Sequence, residues 1–382
     1  MQRLILIGAI DILKDFDTIF SCDGKYLISR TLGRDYFFEM SGESMYYALV
    51  EEERKKNISL REYKQRIVYA IQERLSYGHG RLIHKSFSGG KDTQFRSTNS
   101  AIRTLLIARS DGFNIDDALK QIVKYHFSYY FRWLDGIWFC HDSSELEGKI
   151  PLSHIRTRRL GKDWRNTLTL NTHVDSINTL ILLKKSEFNC GENIDSMLDG
   201  ALLSINRLLN IKTGIFSRFL QRIDSVLLDK YVNNIWKKNK WTSTIYERIV
   251  HPVVFKILFP TFFFENGFIA RDLSVLNRHL DYLLVNIVDL SRMLCLYNDI
   301  RERREGLLDY DKLLDKLKKG VGWIESHPNF VEFVYRDPLL SAWYAEMYYT
   351  LSNIEPSFTM QAQKLVQTGL FCSYSPFYKC QF

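Results

Sequence analysis

The chain has 382 residues, 46% hydrophobic and 25% charged, a balance that excludes a disordered chain, a collagen-like chain and a coiled-coil rod. Lys and Arg number 52 against 44 Asp and Glu, a net charge of +8, and no nucleic-acid reading motif accompanies this modest excess, so nucleic acid is not expected as a partner. The six cysteines form no CxxC pair, which predicts reduced thiols, no structural zinc site and a cytoplasmic setting.

In chain order, the apolar start breaks at Asp11 and Lys14, too early for a signal-peptide core. Residues 1–34 are expected to pack on the main domain as an N-terminal extension, with a strand over 26–31. Apolar residues at helical spacing predict helices over 43–55 and 60–75, the second opened by a capping box of Ser59 and Glu62. In Tyr77-Gly78-His79-Gly80, glycines beside a proton-exchanging imidazole suit close approach of a ligand, and a plain turn explains them equally well. The stretch Gly89 to Asn99 lacks the phosphate-loop pattern but places Arg96 at a helix start, where free N–H groups attract a carboxylate or phosphate. From Glu53 to Arg109, 13 Lys and Arg face 4 Asp and Glu. That excess suits either a basic face toward an acidic polymer or a solvated helix surface.

Helices are expected over 97–109 and 115–131, the latter capped by Asn114 and led by Asp116 and Asp117. A short strand over 136–140 carries Trp138 and runs into His141, Asp142, Ser143 and Glu145. Aromatics stack on sugar faces, and His, Asp and Glu supply acid and base groups; a capped helix start is the plainer reading. In the helix over 171–185, Asn171, Asp175 and Asn178 share a face. His173 lies about 160° from Asp175 at 3.6 residues per turn, so the two reach one site only if the helix starts after His173. Two His and two carboxylates lack any HExxH-type spacing, so no metal and no cofactor are expected. Helices follow over 194–209 and 217–237. The aromatic and lysine stretch 236–241 and the apolar run 252–264 suit an anionic membrane surface or burial, and no apolar run reaches the roughly 18 residues of a span. Beyond Arg271 and Asp272, the helix over 273–296 puts Tyr282, Asn286 and Asp289 on one face, where buried polar groups need partners. Helices over 310–324 and 338–351 follow, with Gly112, Gly191 and Gly320 at expected helix ends and a tail over 353–382.

Polar leads before apolar helices recur at Met40 to Leu49, Phe95 to Leu106, Leu170 to Ile181 and Leu339 to Tyr348. Helix pairs of this kind resemble the (α/α)-toroid carbohydrate-active proteins: glucuronyl C5-epimerases, uronate lyases and unsaturated glucuronyl hydrolases. The segment Leu170-Asn-Thr-His-Val-Asp-Ser-Ile-Asn-Thr-Leu-Ile-Leu-Leu looks most like an inner helix of the C5-epimerase type. The resemblance implies a mainly α fold, an (α/α) toroid (incomplete or six-hairpin barrel) with short β pieces in its loops, over 35–352. It implies an epimerase or lyase that removes the C5 proton of a uronic acid in an acidic polysaccharide or oligosaccharide. On that reading, the catalytic candidates are His141, Asp142, His173, Tyr77 and Tyr282, and the substrate-binding candidates are Arg96, Arg103, Trp138, Glu145, Asp175, His79 and Arg271. The alternatives are a glycoside hydrolase with Asp142, Glu145 or Asp175 as its carboxyl pair, and a non-catalytic polysaccharide-assembly or binding subunit peripheral to the inner membrane face.

Overall fold

Periodic apolar faces decide the architecture. A computed structural model describes residues 16–29, 33–37, 39–85, 91–133, 135–146, 168–211, parts of 215–229, 261–272, 281–336 and 338–367. The stretch 236–241 and most of the run 252–264 lie outside the described residues. The helices are α1 (Glu39–Lys56), α2 (Arg61–Tyr77), α3 (Phe95–Ser110), α4 (Asp116–His126), α5 (Leu170–Lys185), α6 (Ile194–Leu209), α7 (Asp281–Asn298), α8 (Tyr310–Glu325), α9 (Pro328–Arg336), α10 (Pro338–Ser352) and α11 (Thr359–Gln367). α1, α3, α5, α7 and α10 pack side by side in that order. α2, α4, α6, α8 and α11 each pack against the preceding inner helix. The result is a mainly helical fold of (α/α)-toroid type.

Sequence sorts the two layers. α5 buries every residue from Leu170 to Ile181, polar ones included, as befits a helix surrounded by neighbours. α4 buries only Leu119, Ile122, Val123 and His126, one stripe at helical spacing, and the rest of it meets solvent. Each fully buried Leu or Ile contributes about 1.5–3 kcal/mol by leaving water.

The inner helices begin at one rim. The Ser97 hydroxyl near the start of α3 donates to Glu39 Oε2 at the start of α1 (2.6 Å), and Arg96 donates to the Asn171 carbonyl at the start of α5 (3.2 Å). Three antiparallel hairpins lead into this rim: β1 (Ile28–Ser29) with β2 (Gly33–Phe37), β3 (His84–Lys85) with β4 (Lys91–Asp92), and β5 (Tyr130–Trp133) with β6 (Gly136–Phe139). In the last, Tyr130 pairs with Phe139 and Trp133 with Gly136.

Several local expectations are corrected. The helix expected over 115–131 stops at His126, because Tyr130–Trp133 are drawn into the hairpin. Ser59 caps nothing: Leu60 occupies the cap position and its N–H donates to Glu53 Oε1 (2.6 Å). Ile115, not Asn114, caps α4. Gly320 lies inside α8, where a side chain would strike Ile287 Cδ1 at 2.9 Å. α9 was not foreseen. Phe16, Ile19, Phe20 and Leu27 join the main core, and α11 packs on α10, so the stack continues past residue 352.

Gly136 sits where β6 meets α6. A Cβ there would lie 2.1 Å from the Gly200 carbonyl. Gly136→Ala is therefore expected to destabilise the protein by about 1–3 kcal/mol through overpacking, read as a lowered urea midpoint with an unchanged slope.

Candidate functional site

The inner helices enclose a layer of buried charge. Arg103 on α3 grips Glu43 on α1 with Nε and Nη2 (2.6 and 2.9 Å), and its Nη1 reaches Asp175 Oδ1 and Thr179 Oγ1 on α5 (both 2.9 Å). Arg96 pairs with Asp289 on α7. Arg292 bridges Asp289 (3.2 Å) and Glu346 of α10 through paired 2.7 Å bonds. Burial opposes ionisation of Asp175, but Arg103, Arg96 and Arg292 outweigh it and hold its carboxyl below the ordinary range. Burial, with the Asp175 charge adding, pushes Asp289 upward. Three guanidinium groups here face the four carboxylates Glu43, Asp175, Asp289 and Glu346.

Above this layer, at the rim, lies a second group. His141 follows β6, and its backbone is fixed twice: its N–H donates to Glu145 Oε2 (2.8 Å), and its carbonyl accepts from Phe95 N–H (3.1 Å) at the start of α3. Its Nδ1 lies 2.7 Å from Thr172 Oγ1, and its Nε2 lies 3.4 Å from Arg271 Nη2. A guanidinium only donates, so Nε2 presents its lone pair and Nδ1–H donates to Thr172. The Arg271 guanidinium covers the Tyr282 ring at 4.4 Å, and its Nε lies 3.6 Å from Asp272 Oδ2. Burial, then the neighbouring Arg271 cation, push His141 down to about 4 despite Asp142 and Asp272, with Arg96 a further depressing charge. The imidazole is thus neutral at neutral pH, with Arg96 and Arg271 beside it, 16% and 14% exposed at their side chains.

The structure brings Arg96, His141, Asp142, Arg271 and Tyr282 to this rim. Other candidates are placed in supporting positions. Glu145 is buried and occupied by the His141 backbone. Arg103 and Asp175 belong to the charge layer beneath. His173 stacks on Trp138 at 4.0 Å, accepts at Nδ1 from Phe139 N–H (3.1 Å), and has Nε2 3.4 Å from the Ala201 carbonyl. Both residues are fully buried. The helix starts at Leu170, ahead of His173, so His173 points toward β6 and α6 while Asp175 points toward Arg103. Tyr77 is 64% exposed at the end of α2, and His79 lies just beyond it; neither has a hydrogen bond, ion pair or ring contact with the His141 group.

Sequence reading missed Thr172 and Arg292, along with Glu43 and Glu346. Thr172 lay in the quoted α5 lead beside two residues of greater chemical prominence. Glu43 and Glu346 lie in the recurring polar-lead segments, and only long-range contacts with Arg103 and Arg292 give them roles. Among the described residues no group of three His, Cys, Asp or Glu is placed to hold a metal ion, and no helix is long and apolar enough to cross a membrane.

Two outcomes follow from these contacts. Arg103→Ala leaves Glu43 and Asp175 buried without their cation and is expected to cost about 3–5 kcal/mol, measured by denaturant unfolding. Burial also holds His126 and His173 down at about 3, against 6.5 ordinarily. Groups depressed in the folded state stabilise it above their unfolded pKa, and that contribution is lost as pH falls toward the folded values. The melting temperature is therefore expected to fall progressively from about pH 6.5 toward pH 3. The loss persists in His141→Gln, because His126 and His173 remain.

No family model and no curated protein sequence matches the chain. Among solved structures it is similar to one described as a crystal structure of D-mannose isomerase, at 10% sequence identity and a TM-score of 0.48, over 94% of this chain and 83% of that one.

Proposed function

We propose that the protein is a carbohydrate-active enzyme that removes the C5 proton of a uronic acid in an acidic polysaccharide or oligosaccharide, as an epimerase or a lyase. The observation that carries this reading is the neutral His141 imidazole with Arg271 against its Nε2 and the Arg96 charge nearby, at the rim where the inner helices begin. A proton alpha to a carboxylate becomes removable when the carboxylate charge is neutralised and the developing enolate-like charge meets fixed donors. Arg271 and Arg96 supply that neutralisation. Nε2 of His141, released as the substrate carboxylate takes over Arg271, takes the proton, and Thr172 and Glu145 keep the ring aimed. A substrate carboxylate on Arg271 also relieves the cation that depresses His141, so the base strengthens as the substrate binds.

In epimerisation, a proton returns to C5 from the opposite face, a role for the Tyr282 hydroxyl. In elimination, the C5 carbanion instead expels the C4 oxygen as alcohol or alcoholate, leaving a C4–C5 double bond. The leaving C4 oxygen takes its proton from the Tyr282 hydroxyl or from His141, which carries the proton removed from C5. A hydrolase pair is less well supported, because Asp175 and Glu145 are both buried and occupied by Arg103 and the His141 backbone.

The test is incubation with heparosan, alginate and polygalacturonate in D2O. Deuterium at C5 without chain cleavage identifies epimerisation, and an ultraviolet-absorbing unsaturated end identifies elimination. Absence of both on all three polymers overturns the reading. His141→Ala is expected to lower turnover by about 10²–10⁴-fold with the melting temperature near that of the parent. The acid limb of kcat/KM is expected near pH 4, where His141 gains its proton; below it the base is lost. Arg271→Gln is expected to move that limb upward, because a depressing cation is removed, while raising KM.

A further inference from the structure

We propose that the helix over residues 215–229 is a membrane-contact element that lays an apolar stripe on an anionic lipid surface. The described residues of this helix expose Ile215, Phe219, Ile223 and Val226, each between 43% and 81% open to solvent. Their spacing of four, four and three residues puts them on one face, in a stripe about 17 Å long at 1.5 Å per residue. Elsewhere among the described residues the exposed large apolar side chains are Ile58, Met360 and tyrosines, in no comparable row. A contiguous row of this kind marks a contact surface, whereas scattered apolar residues do not.

The helix is tied to the body at Asp229. Its Oδ1 accepts from Trp323 Nε1 on α8 (3.3 Å) and lies 3.4 Å from Nε2 of His327, just before α9. The stripe is therefore presented outward from a fixed support.

Charge selects the occupant. Arg218 and Arg222 border the stripe, within about 60° of Ile215 at 3.6 residues per turn, and both are exposed. Arg222 Nε lies 3.6 Å from Glu265 Oε2, an exposed pairing that holds it weakly. From Lys212 to Trp241 the sequence carries seven Lys and Arg against two Asp, a net charge of +5, and Asp229 is one of the two. Its last part, Lys230 to Trp241, holds Lys230, Lys237, Lys238 and Lys240 with two tryptophans and no acidic residue. Phe and Ile side chains enter between lipid headgroups, while arginines and lysines beside them meet lipid phosphates. No helix among the described residues is long and apolar enough to cross a bilayer, so the contact lies in the plane of the surface. A second copy of the chain fits less well. A two-fold dimer through this face sets each stripe against itself, and the bordering arginines and the basic sequence beyond them then meet their own like charges.

Flotation of the full chain with phosphatidylcholine vesicles, with and without about one-third phosphatidylglycerol, tests the proposal. The chain is expected to bind the anionic vesicles at about 0.1 M salt, about tenfold more weakly at about 0.5 M salt, and at least about tenfold more weakly to phosphatidylcholine alone. Phe219→Ser with Ile223→Ser is expected to weaken binding by about tenfold or more, and Arg218→Gln with Arg222→Gln by about tenfold. Both double variants keep the parent's melting temperature, because the four side chains are exposed. A parent that does not bind anionic vesicles, or binding that both double variants retain in full, overturns the proposal. A dimer in vesicle-free solution that Phe219→Ser with Ile223→Ser abolishes, read by sedimentation, assigns the stripe to a second copy and overturns it as well.

Discussion

Five inner helices are joined by one buried exchange of charge. Arg103 ties α1, α3 and α5 together, and Arg96 and Arg292 carry the connection through Asp289 to α7 and α10. A guanidinium taken from water is tolerable only when fixed acceptors surround it, and each carboxylate here is tolerable only because an arginine faces it. That mutual dependence sets the register of the helices against one another. A turn of slip along any inner helix would strand a charge, whereas Leu and Ile contacts accept such shifts at far smaller cost. The apolar packing supplies the bulk of the stability, and the charge layer links the five inner helices through named partners.

The rim inherits its geometry from this layer. Helix starts held at one level bring Arg96, Asn171, Thr172 and Tyr282 to a common height. The β5–β6 hairpin then delivers His141 against them, and its footing is the stacked pair Trp138 and His173. His173, chemically the most conspicuous residue of α5, thus acts as a spacer: both its nitrogens are spent on backbone groups, and its ring sets where β6 lies.

Much of the fold was legible because burial imposes a period. Ile194–Leu209 could be read to the residue and Tyr310–Glu325 to within one, since each carries a plain apolar stripe; Pro338–Ser352, read to within one, is apolar and buried nearly all round. Caps were less legible. Glu53, from the preceding helix, satisfies the Leu60 N–H, and nothing near Ser59 reveals that. The site was legible where chemistry and local order coincide, as with His141 after a strand, Arg96 at a helix start, and Tyr282 on a polar face of an apolar helix. It was illegible where a residue's meaning is a distant partner. Asp175 and Glu145 carry reactive groups, but Arg103 and the His141 N–H occupy them, and sequence spacing does not encode those encounters. The angle between His173 and Asp175 did anticipate that they diverge, and the helix start at Leu170 resolves it in favour of divergence.

Arg96 belongs to both levels of the molecule. Its guanidinium is partly open at the rim, yet its inner contact is Asp289, whose carboxyl burial already pushes toward the protonated form. An anion that draws Arg96 outward weakens the one charge keeping Asp289 ionised from that side. The vacated carboxylate then favours capture of a proton from solvent. Occupancy at the surface and proton content of the interior are in this way a single thermodynamic event, with the arginine as the hinge between them.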